Sequence, residues 1–409
     1  MHNMDDANPP EQPFGGGFPF FGDLSKMLGG IGDGGWGAAR QMAITMASDG
    51  QSEPNVDPSV RIEIEQLARV AELQAVSATG LSAPGGGLSV SAGTRTQWAT
   101  DALDAYRPLF ERLTTALGQQ PAEPEPAPDD PMATMFGQVM GMLSPMMLSM
   151  TAGSMVGHLA RRSLGTYDIP VPRSSPDMLI VPANIDTFGD EWSLPAQDLR
   201  LWVSLHDILH HLGLSVPHVG DSMNELLLDY ASAFRTDPGA LEDQLSSLDL
   251  SNPEALADLQ STLGDPEVVL GAIQSDLQLA LLPRLHALTA VVVGYVDHMM
   301  DQIGEHLIGS YGQITEALRR RRVEADPSDR FIERMLGLEL TQEQYERGSA
   351  FAAGVVERAG SAGLARLWED DRNLPTPNEV DAPGLWLARI DLPDDPTPAA
   401  DGNDADEPQ

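Results

Sequence analysis

The sequence contains no cysteine. That excludes disulfides, thiolate zinc ligands and a cysteine nucleophile, so any metal or nucleophilic chemistry must rest on other side chains. Basic residues are also scarce: Lys and Arg number 24 against 61 Asp and Glu, for a formal net charge of −37. A surface of this sign repels phosphate backbones and anionic lipid headgroups, so nucleic acid and membranes are not expected partners. The same charge gathers cations and keeps the chain soluble. The opening "MHNMDDANPPEQPFGGGFPFFGD" lacks the basic start and apolar stretch of a signal peptide, which points to the cytoplasm.

Long apolar runs are rare. Met132–Gly157 carries no charge and is long enough to span a bilayer. However, Pro145, Gln138 and several Ser, Thr and Gly dilute it, and no basic flank precedes it. Met-rich segments of this kind make buried core helices, and that is the expectation here.

What is present is an ordinary globular interior: 409 residues with 42% apolar content. Residues 1–57 are rich in Gly, Pro and Asp and are expected to be mostly disordered, with a short helix over Ala38–Met46. Folded material is expected over 58–375. "SVRIEIEQLARVAELQAVSATG" and "TRTQWATDALDAYRPLFERLTTALG" read as helices, and "QQPAEPEPAPDDP" (119–131) as an acidic Pro-rich connector. Met178–Val181, bracketed by prolines, reads as a strand. A helix follows with Ser193 as N-cap, Pro195 in its first turn and Gly213 as its stop. Two helices are expected between Glu225 and Ala257 around a turn at Asp237–Gly239. A long helix is expected from about Pro283, with further helical segments after it. Residues 376–409 read as an acidic disordered tail, suited to solubility or to a basic partner. The fold class is mainly α, with little strand.

Within the helix after Ser193 stands "LHDILHH". His206 and His210 are four apart and share one helix face with Leu199, Trp202 and Val203. Two imidazoles one turn apart can hold zinc, and HExxH does this in zinc peptidases, with the glutamate as general base. Here Asp207 stands in the glutamate's place. It is one methylene shorter, and misplacing a base by about an ångström can cost roughly a hundredfold in rate. The plainer reading is a pair of hydrogen-bonded core histidines. His211 points elsewhere and reads as structural. In "ALTAVVVGYVDHMMD", Val293 stands where a glutamate would complete a His-His-Glu site, one turn before Asp297. Asp297 is the candidate third ligand, with His298 or His218 as substitutes. The basic run Arg319–Arg322 reads as a solvated turn that balances an acidic protein, or as a partner for Asp297.

Taken together, "LGTYDIPVP", "LIVPANI", "LPAQDLRLWVSLHDILHH", "VPHV", "VVGYVDHMMD", "RRRRVEADPSDRFIERMLGLEL" and "LWEDDRNLPT" resemble a bacterial family of zincin-like proteins of hydrolase type. Its function is unassigned, and some members are labelled as associated with deazaflavin coenzyme biosynthesis. The resemblance covers roughly 58–375. It implies a zincin-like, mainly helical fold, a zinc cofactor, His206 and His210 as metal ligands, Asp207 at the base position and Val293 at the third-ligand position. Gly294, Tyr295 and Asp297 match the surrounding motif. The departures fall on the base and the acidic ligand. The expectation is therefore a degenerate zincin, acting as a binding or scaffold protein toward a peptide or protein partner. The alternative is an active zinc-dependent hydrolase in which Asp297 or His298 replaces the missing ligand.

Overall fold

The computed structural model of the chain describes residues 35–83, 85, 87–118, 149–235, 275–323, 327–339 and 341–393. The connector at 119–131, the first part of the uncharged segment, the turn at Asp237–Gly239 with the helix after it, and most of the two tails lie outside the described residues.

The described chain is mainly helical. Helix α1 (Trp36–Ala47) covers the short helix expected over Ala38–Met46, and it starts folded structure earlier than Pro58. It buries Ala39, Ala43 and Ala47. The helix over 149–160 (α4 below), the described end of the uncharged segment, lies so close that a Cβ on Gly153 would sit 2.1 Å from the Ala39 carbonyl oxygen. Small residues on both helices make that approach possible. Helix α2 (Pro58–Thr79) begins where the Asp57 carboxylate accepts the Ser59 N–H, and it stops at Gly80 in the left-handed region.

Strand β1 (Ser89–Ala92) pairs in parallel with β2 (Asp177–Ile180), Val90 facing Met178. Helix α3 (Arg95–Gly118) follows β1, α4 spans 149–160, and α5 (Pro182–Trp192) follows β2. Ser193 is not the N-cap of the next helix. With φ 53° it closes α5 in the left-handed region, and Pro195 is the residue that precedes helix α6 (Ala196–Leu214). Gly213 does not stop α6 either. It lies under Trp368, whose ring would be 3.1 Å from a Cβ there.

Every residue of α6 from Leu199 to Leu214 is buried, the pattern of a helix enclosed on all sides. It packs against α2, α5, helix α7 (Pro217–Ser232) and helix α8 (Asp276–Leu307). Buried Arg200 ties it to Glu63 of α2 and Asp186 of α5, each at 2.7 Å. Helix α8 starts two turns before Pro283, because Ser275 and Gln278 form a reciprocal capping box. It is long and apolar enough to cross a membrane by length and composition alone, but most of that stretch is buried here.

Helices α9 (Tyr311–Val323), α10 (Pro327–Met335) and α11 (Gln342–Ala365) close the other side of α6 and α8. Helix α11 crosses α8 at backbone contact: a Cβ on Gly294 would meet the Gly348 carbonyl at 2.2 Å. Beyond residue 375, short helices α12 (Pro377–Asp381) and α13 (Pro383–Ile390) pack on α11, inside the region expected to be a tail. Trp386 there is fully buried and donates to the Asn373 carbonyl at 2.7 Å.

Candidate metal centre

Helix α6 brings His206 and His210 side by side, with ring centroids 4.3 Å apart. Trp202 stacks on His206 at 4.9 Å and Tyr167 on His210 at 5.9 Å. His210 Nδ1 lies 3.0 Å from the His206 carbonyl oxygen. A carbonyl oxygen can only accept, so Nδ1 carries the proton and Nε2 keeps its lone pair. This is the ring orientation a metal-ligating histidine uses. Burial, followed by the charge of Arg322, pushes His206 down to about 4. Burial also holds His210 well below the ordinary imidazole range. Both rings are neutral at pH 7, the state in which imidazole binds metal.

The two rings line a cavity of about 60 Å³. Val293 of α8 faces it beside them and is 2% exposed. Valine offers no donor atom. Asp297, one turn on, does not line this cavity. Its two carboxylate oxygens each lie 3.4 Å from Arg322 Nη1. His298 pairs instead with the Gln302 side chain at 2.9 Å, and His218 with the Leu367 carbonyl at 3.2 Å. Among the described residues no three His, Asp or Glu side chains gather as a metal-binding group. A catalytic zinc site needs three protein ligands and an open position. The residues present supply two, so this donor set does not fit a resident catalytic zinc, and the structure does not join Asp297 to the histidine pair.

Asp207 does not line the cavity either, although its Oδ1 lies 3.5 Å from His206 Nδ1. One carboxylate oxygen accepts the Thr166 N–H at 2.5 Å, and the other accepts the Tyr167 N–H at 3.3 Å. Gly165 makes room for it: a Cβ there would stand 2.3 Å from Oδ2. Burial and the nearby Asp168 charge push this carboxyl well up, against the pull of the two amide N–H groups. In "LGTYD" the glycine and Asp207 thus form one unit that holds the loop after α4. His211 is likewise structural, its Nδ1 2.8 Å from the Tyr167 hydroxyl.

Profile comparison matches residues 35–387 to zincin-like metallopeptidases. The chain belongs to the zincin-like metallopeptidase family. No curated protein matches the sequence. The fold is shared with a crystal structure from Chloroflexus aurantiacus described as a "putative hydrolase with a novel fold", at 23% identity and a TM-score of 0.61. That alignment covers 88% of this chain and 99% of the other.

Sequence reasoning missed part of the cavity wall. Arg319 and Arg320 are exposed, as a solvated turn requires, but Arg321 and Arg322 turn inward. Arg321 Nη2 bonds the Arg162 carbonyl at 2.5 Å and Asp168 at 3.2 Å. Arg322 lies over the Tyr345 ring at 4.4 Å. The signal was available: Arg321 and Arg322 fall four residues after Ala317 and Leu318, both buried.

Proposed function

We propose that this zincin-like protein has weakened or lost hydrolase chemistry and that its two-histidine pocket serves to bind a peptide or protein partner. One observation carries the reading: Val293 fills the cavity wall where a third ligand would stand. The position of Asp207 supports it, because its carboxylate is turned to the Thr166 and Tyr167 N–H groups and does not line the cavity. The charge of −37 and the absence of cysteine make the cytoplasm the expected setting, without nucleic-acid or membrane partners.

A second reading, an active zinc hydrolase, draws on the His210 ring, whose Nε2 lone pair is set for a metal. It requires Asp297 to leave Arg322 or His298 to leave Gln302. Elemental analysis of the purified chain separates the two, with His210→Ala as control. The expected result is well under one zinc per chain in both proteins. Stoichiometric zinc that disappears in His210→Ala would overturn the proposal.

A further inference from the structure

The cavity beside the histidines has a chemical polarity of its own. Arg322 engages Asp297 through Nη1 alone, at 3.4 Å to either oxygen, which is long for a charged pair. The remaining N–H groups of its guanidinium make no hydrogen bond among the described residues, and Arg322 lines the cavity. Tyr345 lines it too, and its hydroxyl has no hydrogen-bond partner among the described residues. These are donors awaiting an acceptor. Across the same small space, the Nε2 lone pair of His210 awaits a donor. Val293 and Leu338 supply apolar wall. A volume of about 60 Å³ admits a few water-sized groups and no more.

An occupant that satisfies this set carries an anionic acceptor for Arg322 and Tyr345, an N–H close by for His210, and a small apolar body. The last residue of a polypeptide has all three: the terminal carboxylate, the amide N–H one carbon away, and a short side chain. A guanidinium fork matches the two oxygens of a carboxylate better than it matches a single carbonyl. We propose that the pocket captures the free C-terminus of a peptide ending in a small residue, with Arg322 and Tyr345 holding the carboxylate and His210 accepting the terminal N–H. This rests on reading the pocket as a peptide-binding site. It adds the part of the peptide that enters and the residues that select it.

The test is fluorescence anisotropy with N-terminally fluorescein-labelled Gly-Gly-Ala as free acid and as C-terminal amide. The full chain is treated with 1,10-phenanthroline so that no metal contributes. At about 0.15 M salt the Debye length is near 8 Å, so local donors outweigh the distant negative surface. The free acid is expected to bind roughly 10- to 100-fold tighter than the amide, the range for charged hydrogen bonds. Arg322→Gln should erase that preference. Should Arg322→Gln fail to fold, Tyr345→Phe carries the test: it removes only the hydroxyl and should weaken acid binding several-fold without changing the amide. Equal binding of acid and amide to the parent chain, no binding of the acid, or an undiminished preference in a folded variant overturns the proposal. Zinc content before chelation separates the two ideas. Stoichiometric zinc together with acid preference defeats the loss-of-catalysis reading and keeps this one, and no zinc with no preference does the reverse.

Discussion

Val293→Glu puts a carboxylate into the cavity wall beside His206 and His210. The side chain is 2% exposed, and the cavity of about 60 Å³ leaves room for the longer residue. Without metal, a buried carboxylate costs several kcal/mol before Arg322 offsets part of it, so the variant should melt below the parent. With zinc, three ligands become available instead of two. A metal at 100 times its dissociation constant stabilises the folded state by about 2.7 kcal/mol. Unfolding entropy is about 2.1 cal/mol/K per residue, so over roughly 300 folded residues that gain raises the melting temperature by about 4 °C. The assay is a thermal melt with and without zinc for the parent, Val293→Glu and Val293→Gln. Only the glutamate variant should show the zinc-dependent rise. An equal rise in Val293→Gln, or none in Val293→Glu, would mean that residue 293 does not share a ligand sphere with the two histidines. Adding Asp207→Glu is not expected to help. The longer side chain would have to give up the Thr166 and Tyr167 amides or push against Gly165.

Acid should weaken the fold through His206. Its pKa falls from 6.5 in the unfolded chain to about 4 in the fold, so the folded ring resists a proton that the unfolded ring accepts. Stability is full above pH 6.5 and is lost as pH falls toward 4, by up to about 3 kcal/mol from this residue alone. Denaturation midpoints of the parent and His206→Gln across that window should diverge, and parallel curves would contradict the assignment. Gly294→Ala would place a Cβ 2.2 Å from the Gly348 carbonyl and force α8 and α11 apart. Overpacking of this kind costs about 1–3 kcal/mol, and an unchanged denaturant midpoint would show that the helices do not cross there.

The helices were legible in the sequence where local chemistry marks their ends, as at Asp57, Pro58 and Gly80. They were less so where tertiary packing decides. Strand β1 is four residues of alternating Ser and small apolar side chains, and only pairing with β2 gives it a backbone partner. Helix α1 was readable as a short helix, but its buried residues are alanines alone. Its stability depends on the close approach of Gly153 and Gly157, more than 100 residues away in sequence. Pro283 looked like a helix start because proline is favoured in a first turn. The capping box at Ser275 and Gln278 starts α8 earlier, and the proline costs only one internal hydrogen bond. At the site, His206 and His210 were readable because a four-residue spacing needs no knowledge of the fold. Asp207 was not, since nothing in "HDILHH" says that the amides of Thr166 and Tyr167 lie across from it.

Valine at 293 and the inward turn of Arg322 make physical sense together. A glutamate at 293 would stand one turn from Asp297 on α8, and Arg322 would then face two carboxylates. With Arg162 paired to Glu333 and Arg321 to Asp168, those two carboxylates would outweigh Arg322 beside two neutral imidazoles, which suits a dication. With valine, Arg322 pairs with Asp297 through one nitrogen, lies over the Tyr345 ring and lines the cavity. Arg322 is also the charge that acts most strongly on His206, ahead of Asp297, and its sign there is positive. A valine here therefore does more than withhold a ligand: it leaves Arg322 opposed by one carboxylate only, a balance that suits an anionic group better than a cation.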